Sequence, residues 1–167
     1  WAVAVNKHDD VKRLFDKYNL TENSTWRGIA KLPIETFNQV VSDVAPNLEE
    51  VVIAGGEPLI QPQHYESLER LIPWAHNIKL EYNTNLNNIV LQGLHVSDLW
   101  VYFKKVNCRV SIDGDREIHS YLRTGSDINA IEKNIKILKD ELPAEKLTLI
   151  TTCTVSLYNI SRLDRII

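Results

Sequence analysis

From residue 51 onward, short apolar runs alternate with amphipathic stretches of helical period, and no other feature restricts the fold as strongly. "VVIA" at 51–54 reads as a strand. "QPQHYESLERLI" follows as a helix, with Tyr65, Leu68, Leu71 and Ile72 on one side. "IKLEYN" is a second strand, "SDLWVYFKKV" a helix and "CRVSI" a third strand. "INAIEKNIKILKDEL" is an amphipathic helix through Ile128, Ile131, Ile135 and Leu138. "KLTLITTCTV" is a fourth strand, and the residues beyond it read as the start of one more helix. The strands begin about 27 to 40 residues apart, the spacing of βα units. The expected fold is therefore α/β, with strands near 51–54, 78–82, 109–112 and 147–153 in one parallel sheet, in sequential order.

Upstream, "HDDVKRLFDKY" places Val11, Leu14, Phe15 and Tyr18 on one helical face. Asp9 and Asp10 stand in its first turn, where the helix dipole favours anions. "LPIETFNQVVSDV" repeats the pattern with Phe37, Val40, Val41 and Val44 behind Pro33, and "APNLEE" reads as a turn. No internal repeat, low-complexity run or linker divides the chain, so residues 1–167 are expected to form a single domain.

Charge and composition narrow the function classes. A net charge of −3 gives no electrostatic basis for binding nucleic acid or an anionic membrane. No apolar run has the length of a transmembrane span, and no leader pattern opens the chain, so a cytoplasmic location is expected. Cys108 and Cys153 are the two cysteines. Each lies in a strand-like context at opposite strand ends, so neither a disulfide nor a metal pair is expected. Three glycosylation triplets, at Asn19, Asn23 and Asn159, read as chance matches without a secretory signature. The chain begins at Trp1 and contains no Met, and it reads as a piece of a longer protein.

In parallel α/β folds the ligand site lies at the carboxyl ends of the strands. Here the first strand ends on Gly55-Gly56-Glu57-Pro58 and the second on Asn83-Thr84-Asn85. The third ends on Ser111-Ile112-Asp113-Gly114, and the fourth on Thr154-Val155-Ser156 with Asn159 beyond. Each alone is ordinary turn chemistry, with Gly55-Gly56 a tight turn and Glu57 solvated. Together they form a polar rim suited to a small ligand bearing amino, carboxylate and ribose groups. Arg123, in "YLRTG", adds a planar fork for a carboxylate. Neither G-x-G-x-x-G nor G-x-x-x-x-G-K-[ST] is present, so a nucleotide-phosphate cradle is not indicated.

"AGGEP", "YNTN", "VSIDG…YLRTG" and "TVSLYNI", in that order at successive strand ends, resemble the radical S-adenosylmethionine (SAM) superfamily. More narrowly, they resemble the branch with a twitch or SPASM extension, and the resemblance covers nearly all of 33–167. It implies a partial TIM barrel of (β/α)6 type, incomplete in this chain, that holds SAM and a [4Fe–4S] cluster. By resemblance, Gly55, Gly56, Glu57 and Pro58 bind the methionyl amino group, Ser111 and Arg123 match positions that touch the ribose and methionyl carboxylate, and Asp113 belongs to the same cofactor-binding set. Asn83 and Asn85 line the same cavity, and Thr154, Val155 and Asn159 support the adenosine.

The chain departs from the family in one respect. It has no C-x-x-x-C-x-x-C, the triplet of thiolates that holds the cluster. The expectation is a parent enzyme that supplies the cluster from an upstream segment, receives an electron from a donor, and cleaves SAM to a 5′-deoxyadenosyl radical. That radical would abstract hydrogen from a substrate, peptide or small molecule, that the sequence does not identify. The alternative is a barrel-derived binding or scaffold module without the cluster.

Overall fold

In the computed structural model, which describes residues 34–166, four strands form one sheet. The strands are β1 (Glu50–Ile53), β2 (Lys79–Thr84), β5 (Lys105–Ser111) and β6 (Leu147–Thr152), in the order β1-β2-β5-β6. Every adjacent pair is parallel, as the alternation predicts. The order never reverses. With the handedness general to parallel crossovers, successive connections then fall on the same face of the sheet.

Those connections contain α2 (Pro62–Leu71), α3 (Ser97–Trp100), α4 (Arg116–Leu122) and α5 (Ile128–Glu141), and α1 (Ile34–Val44) precedes β1. Val51 and Ile53, Leu80 and Tyr82, and Val106, Cys108 and Val110 alternate onto one sheet face. They form a single core with Tyr65 and Leu68 of α2, Leu99 and Trp100 of α3, and Ile131 and Leu138 of α5. Leu147 and Leu149 of β6 extend the same face in register with Val106 and Cys108. Trp100, Tyr82 and Phe103 are among its largest fully buried side chains.

Three polar side chains carried into this layer bond to one another. Trp100 Nε1 donates to Tyr82 Oη at 3.0 Å, and His64 Nε2 lies 3.1 Å from the same oxygen. Burial drives the His64 pKa down to about 4, so the ring is neutral, and raises the Tyr82 phenol well above its ordinary value.

The opposite face differs in kind. Val52, Glu81, Asn107 and Thr148 form one cross-strand row, Asn83, Arg109 and Ile150 the next, and Ser111 and Thr152 a third. None of these side chains belongs to the buried core. Glu81 ties the face laterally. Its carboxylate accepts from Asn107 Nδ2 at 2.5 Å and from Arg109 Nη1 at 2.9 Å.

Two local expectations need correction, and two elements were not foreseen. The helix expected over 97–106 ends at Trp100, and β5 begins at Lys105. The reason is tertiary. Lys104 N donates to Ala75 O and Ile78 O, Val106 N donates to Lys146 O, and Lys105 is in register with Lys79. An apolar run that also reads as helical is thereby drawn into the sheet. A hairpin, β3 (Val90–Leu91) and β4 (Leu94–His95), was not anticipated. Its two loop residues, Gln92 and Gly93, both have positive φ (51° and 86°), as a tight two-residue hairpin turn requires. The segment between Asp113 and Arg123, to which the pattern assigns no element, contains α4, capped by Asp115 Oδ1, which accepts from Ile118 N at 3.2 Å. The last element is a 3-10 turn, Ile160–Arg165, in place of an α-helix. The helix expected over 8–18 lies outside the described residues. Among the described residues no helix is long and apolar enough to cross a membrane.

Candidate ligand site at the strand ends

The parallel arrangement brings all four strand-end loops to one edge of the sheet. The first loop needs glycine for its backbone path. Gly55 and Gly56 have φ of 94° and 58°, both are exposed, and a Cβ on either would meet nothing within 4 Å. Any other L-residue there is strained, while the bare backbone faces open space. Pro58 is buried at the start of a 3-10 turn, Pro58–Ile60, where its fixed φ fits and no N–H is needed.

Glu57 is not a solvated loop residue. Its Oε1 accepts from Thr84 Oγ1 at 2.5 Å and from Leu59 N at 3.3 Å, and its Oε2 accepts from Asn85 N at 2.7 Å. One carboxylate therefore joins the first loop to the second. Within the second loop, Asn85 Oδ1 accepts from Asn87 N at 2.9 Å. Buried Leu86 takes a φ of 56°, a region unfavourable for a side chain. Asn134 of α5 holds this bend by donating to Leu86 O at 2.9 Å and Asn87 O at 3.0 Å. Asn83, just before the loop, is exposed on the polar sheet face.

Asp113 is the hub of the third and fourth loops. Its Oδ2 accepts from Arg123 Nε at 2.6 Å and its Oδ1 from Thr154 N at 2.8 Å. Its N–H donates to His119 Nδ1 at 3.2 Å, and its carbonyl accepts from Asn159 Nδ2 at 2.8 Å. Asp113 is thus a support whose polar atoms are all engaged. Asn159, fully buried, also donates to Thr154 O at 2.9 Å and accepts from Ser156 N at 2.7 Å. Thr154 and Val155 are exposed, and Ser111 is half-buried on the polar face. Arg123 spends only Nε on Asp113. Its two terminal nitrogens have no protein partner among the described residues, and they form the free end of an anchored cation.

The sequence-predicted residues thus divide into two sets. Gly55, Gly56, Asn83, Ser111, Arg123, Thr154 and Val155 present groups that a ligand can reach, whereas Glu57, Pro58, Asp113 and Asn159 hold the loops together. Asn85 does both, through its amide and its turn. Three residues that join the loops were not singled out from sequence: Asn87, His119 and Ser126. His119 had one available signal, its position four residues before Arg123, which caps the end of the same helix.

Cys108 and Cys153 are free thiols, and among the described residues no three His, Cys, Asp or Glu side chains converge on a metal position. A [4Fe–4S] cluster that leaves one iron open requires three thiolates, and the chain has two cysteines, so these residues do not fit that group. No protein-family profile matches the chain, and no curated protein matches it.

Proposed function

We propose that this chain is the SAM-binding part of a radical SAM enzyme core, and that its sheet is a segment of a parallel partial TIM barrel of (β/α)6 type. The observation that carries the reading is the continuity of the rim. Glu57, Asn87, His119, Asp113 and Asn159 link all four strand-end loops by hydrogen bonds, a rigidity that unrelated surface turns do not need. The unreversed strand order and the polar second face support the barrel, because residues that line a barrel interior alternate with those facing its helices.

In this reading the exposed backbone at Gly55 and Gly56 receives the methionyl ammonium, with the Glu57 charge behind it. The terminal nitrogens of Arg123 receive the carboxylate, Ser111 and Asn83 face the ribose, and Thr154 and Val155 border the adenine. The cluster, which supplies the electron for SAM cleavage, belongs to residues of the parent outside this chain. This chain's part is to bind and orient SAM.

Calorimetric titration of SAM into the chain tests the assignment, with Arg123→Met and Gly56→Val as variants checked for fold by circular dichroism. Saturable binding that weakens by about 1–3 kcal/mol in Arg123→Met, the range for a hydrogen bond to a charged group, is expected. Absent binding, or equal binding by folded Arg123→Met, contradicts it.

A further inference from the structure

Between the second loop and the Asp113 hub runs a link to which the SAM assignment gives no part beyond tying the loops together. Asn87 Nδ2 donates to Ser126 Oγ at 2.9 Å, Ser126 Oγ lies 2.8 Å from His119 Nε2, and His119 Nδ1 accepts from Asp113 N at 3.2 Å. His119 is fully buried on α4, four residues before Arg123. A backbone N–H can only donate, so Nδ1 must be unprotonated. The ring is therefore neutral, with its proton on Nε2 and directed to Ser126. A second proton would set an N–H of the ring against the N–H of Asp113.

The charged groups facing the ring are Arg123, at the end of its own helix, and Asp113, from the loop after β5. Ser126 and Asn87, from the other two directions, are neutral. We propose that His119 is a positioning residue of the ligand site: as a neutral imidazole it fixes Asp113 and, through Asp113, the Arg123 fork and the Thr154 loop. Ligand binding is then full above the imidazole titration and declines below it.

The direction is consistent with the surroundings. Burial first, and the Arg123 charge second, lower the His119 pKa from its ordinary value, with Asp113 opposing. A base with a lowered folded pKa contributes its stabilisation above the unfolded value of 6.5 and loses it as pH falls through the folded one, so the sensitive window lies below pH 6.5. The inference rests on the SAM reading for the identity of the ligand, but not for the geometry of the hub.

The test uses NMR of the chain, reading the Asp113 and Thr154 amides, Arg123 Nε and the His119 ring nitrogens, together with SAM titrations. Wild type is expected to bind SAM progressively more weakly as pH falls, by up to about tenfold per unit below the His119 titration. His119→Asn, whose Oδ1 stands where Nδ1 stood and which does not titrate, is expected to bind like wild type near neutral pH and to lose this dependence. His119→Leu is expected to bind weakly at every pH. Hub resonances indifferent to His119 protonation, or a His119→Asn variant that retains the wild-type pH profile, overturn the positioning role even if SAM binds. Hub resonances that follow His119 while SAM perturbs nothing at any pH overturn the ligand reading on which the proposal rests.

Discussion

The two faces of the sheet are built from the same four strands and obey opposite rules. On one, alternate residues from Val51 to Val110 are apolar and buried against α2, α3 and α5. On the other, β2 and β5 present Glu81, Asn83, Asn107, Arg109 and Ser111, with Val52 of β1 and Ile150 of β6 as its apolar members. Parallel sheets are ordinarily covered on both faces and read as continuous apolar runs. Strands that keep a polar second face while pairing only in parallel forgo that burial. The contrast teaches that stability resides on the helix-covered face, and that the other face is kept polar for something other than packing. The Asn107 Oδ1 atom makes the same point, since it is buried and accepts no hydrogen bond among the described residues.

Substitutions separate the two faces by size of effect. The largest is expected at Trp100, fully buried and donating to Tyr82 Oη. Trp100→Ala removes a large core side chain and one of the two hydrogen bonds at Tyr82 Oη, and should cost about 3–5 kcal/mol in urea unfolding. Loss below about 1 kcal/mol would mean that the helix-covered face is not the source of stability.

Glu57, at the rim between the faces, comes next. Glu57→Gln places an amide where a carboxylate accepts from Leu59 N, Thr84 Oγ1 and Asn85 N. At least one of these bonds is lost, which should cost about 1–3 kcal/mol. An unchanged denaturant midpoint would show that the tie between the first two loops carries no energy.

Arg109, on the polar face, should matter least for folding. Its side chain is 42% exposed and its partner Glu81 13% exposed. Arg109→Leu should change stability by less than about 1 kcal/mol, the usual worth of a half-exposed ion pair. A cost as large as that of Trp100→Ala would erase the distinction between the faces.

The helix-covered face was largely legible in the sequence, because burial against one partner layer imposes a period that the residues must display. The four parallel strands follow from that period. Where packing and local pattern disagree, the pattern misleads. The residues after Trp100 look helical, yet they enter β5 because Lys104 to Val106 find their hydrogen bonds on neighbouring segments. Two-residue strands such as Val90–Leu91 are too short to show any period.

The site was legible at its rim and hidden in its supports. Gly55-Gly56, Ser111 and Arg123 could be named from their places after strands. The chain from Asn87 to Ser126 to His119 joins residues up to 39 positions apart, and no local rule reports that closure. The polar face was visible as alternation within each strand. Only register, with Asn83 opposite Arg109 and Ser111 opposite Thr152, shows that the rows coincide.

The strand-end rim and the adjoining polar face are proposed as one site for SAM. Residue-resolved NMR of the chain titrated with SAM tests it most directly. Saturable amide and side-chain shifts are expected at Gly55, Gly56, Ser111, Arg123 and Thr154, with core reporters such as Leu80, Trp100 and Leu138 unmoved. Shifts absent at saturating SAM, or confined to the helix-covered side, would contradict it.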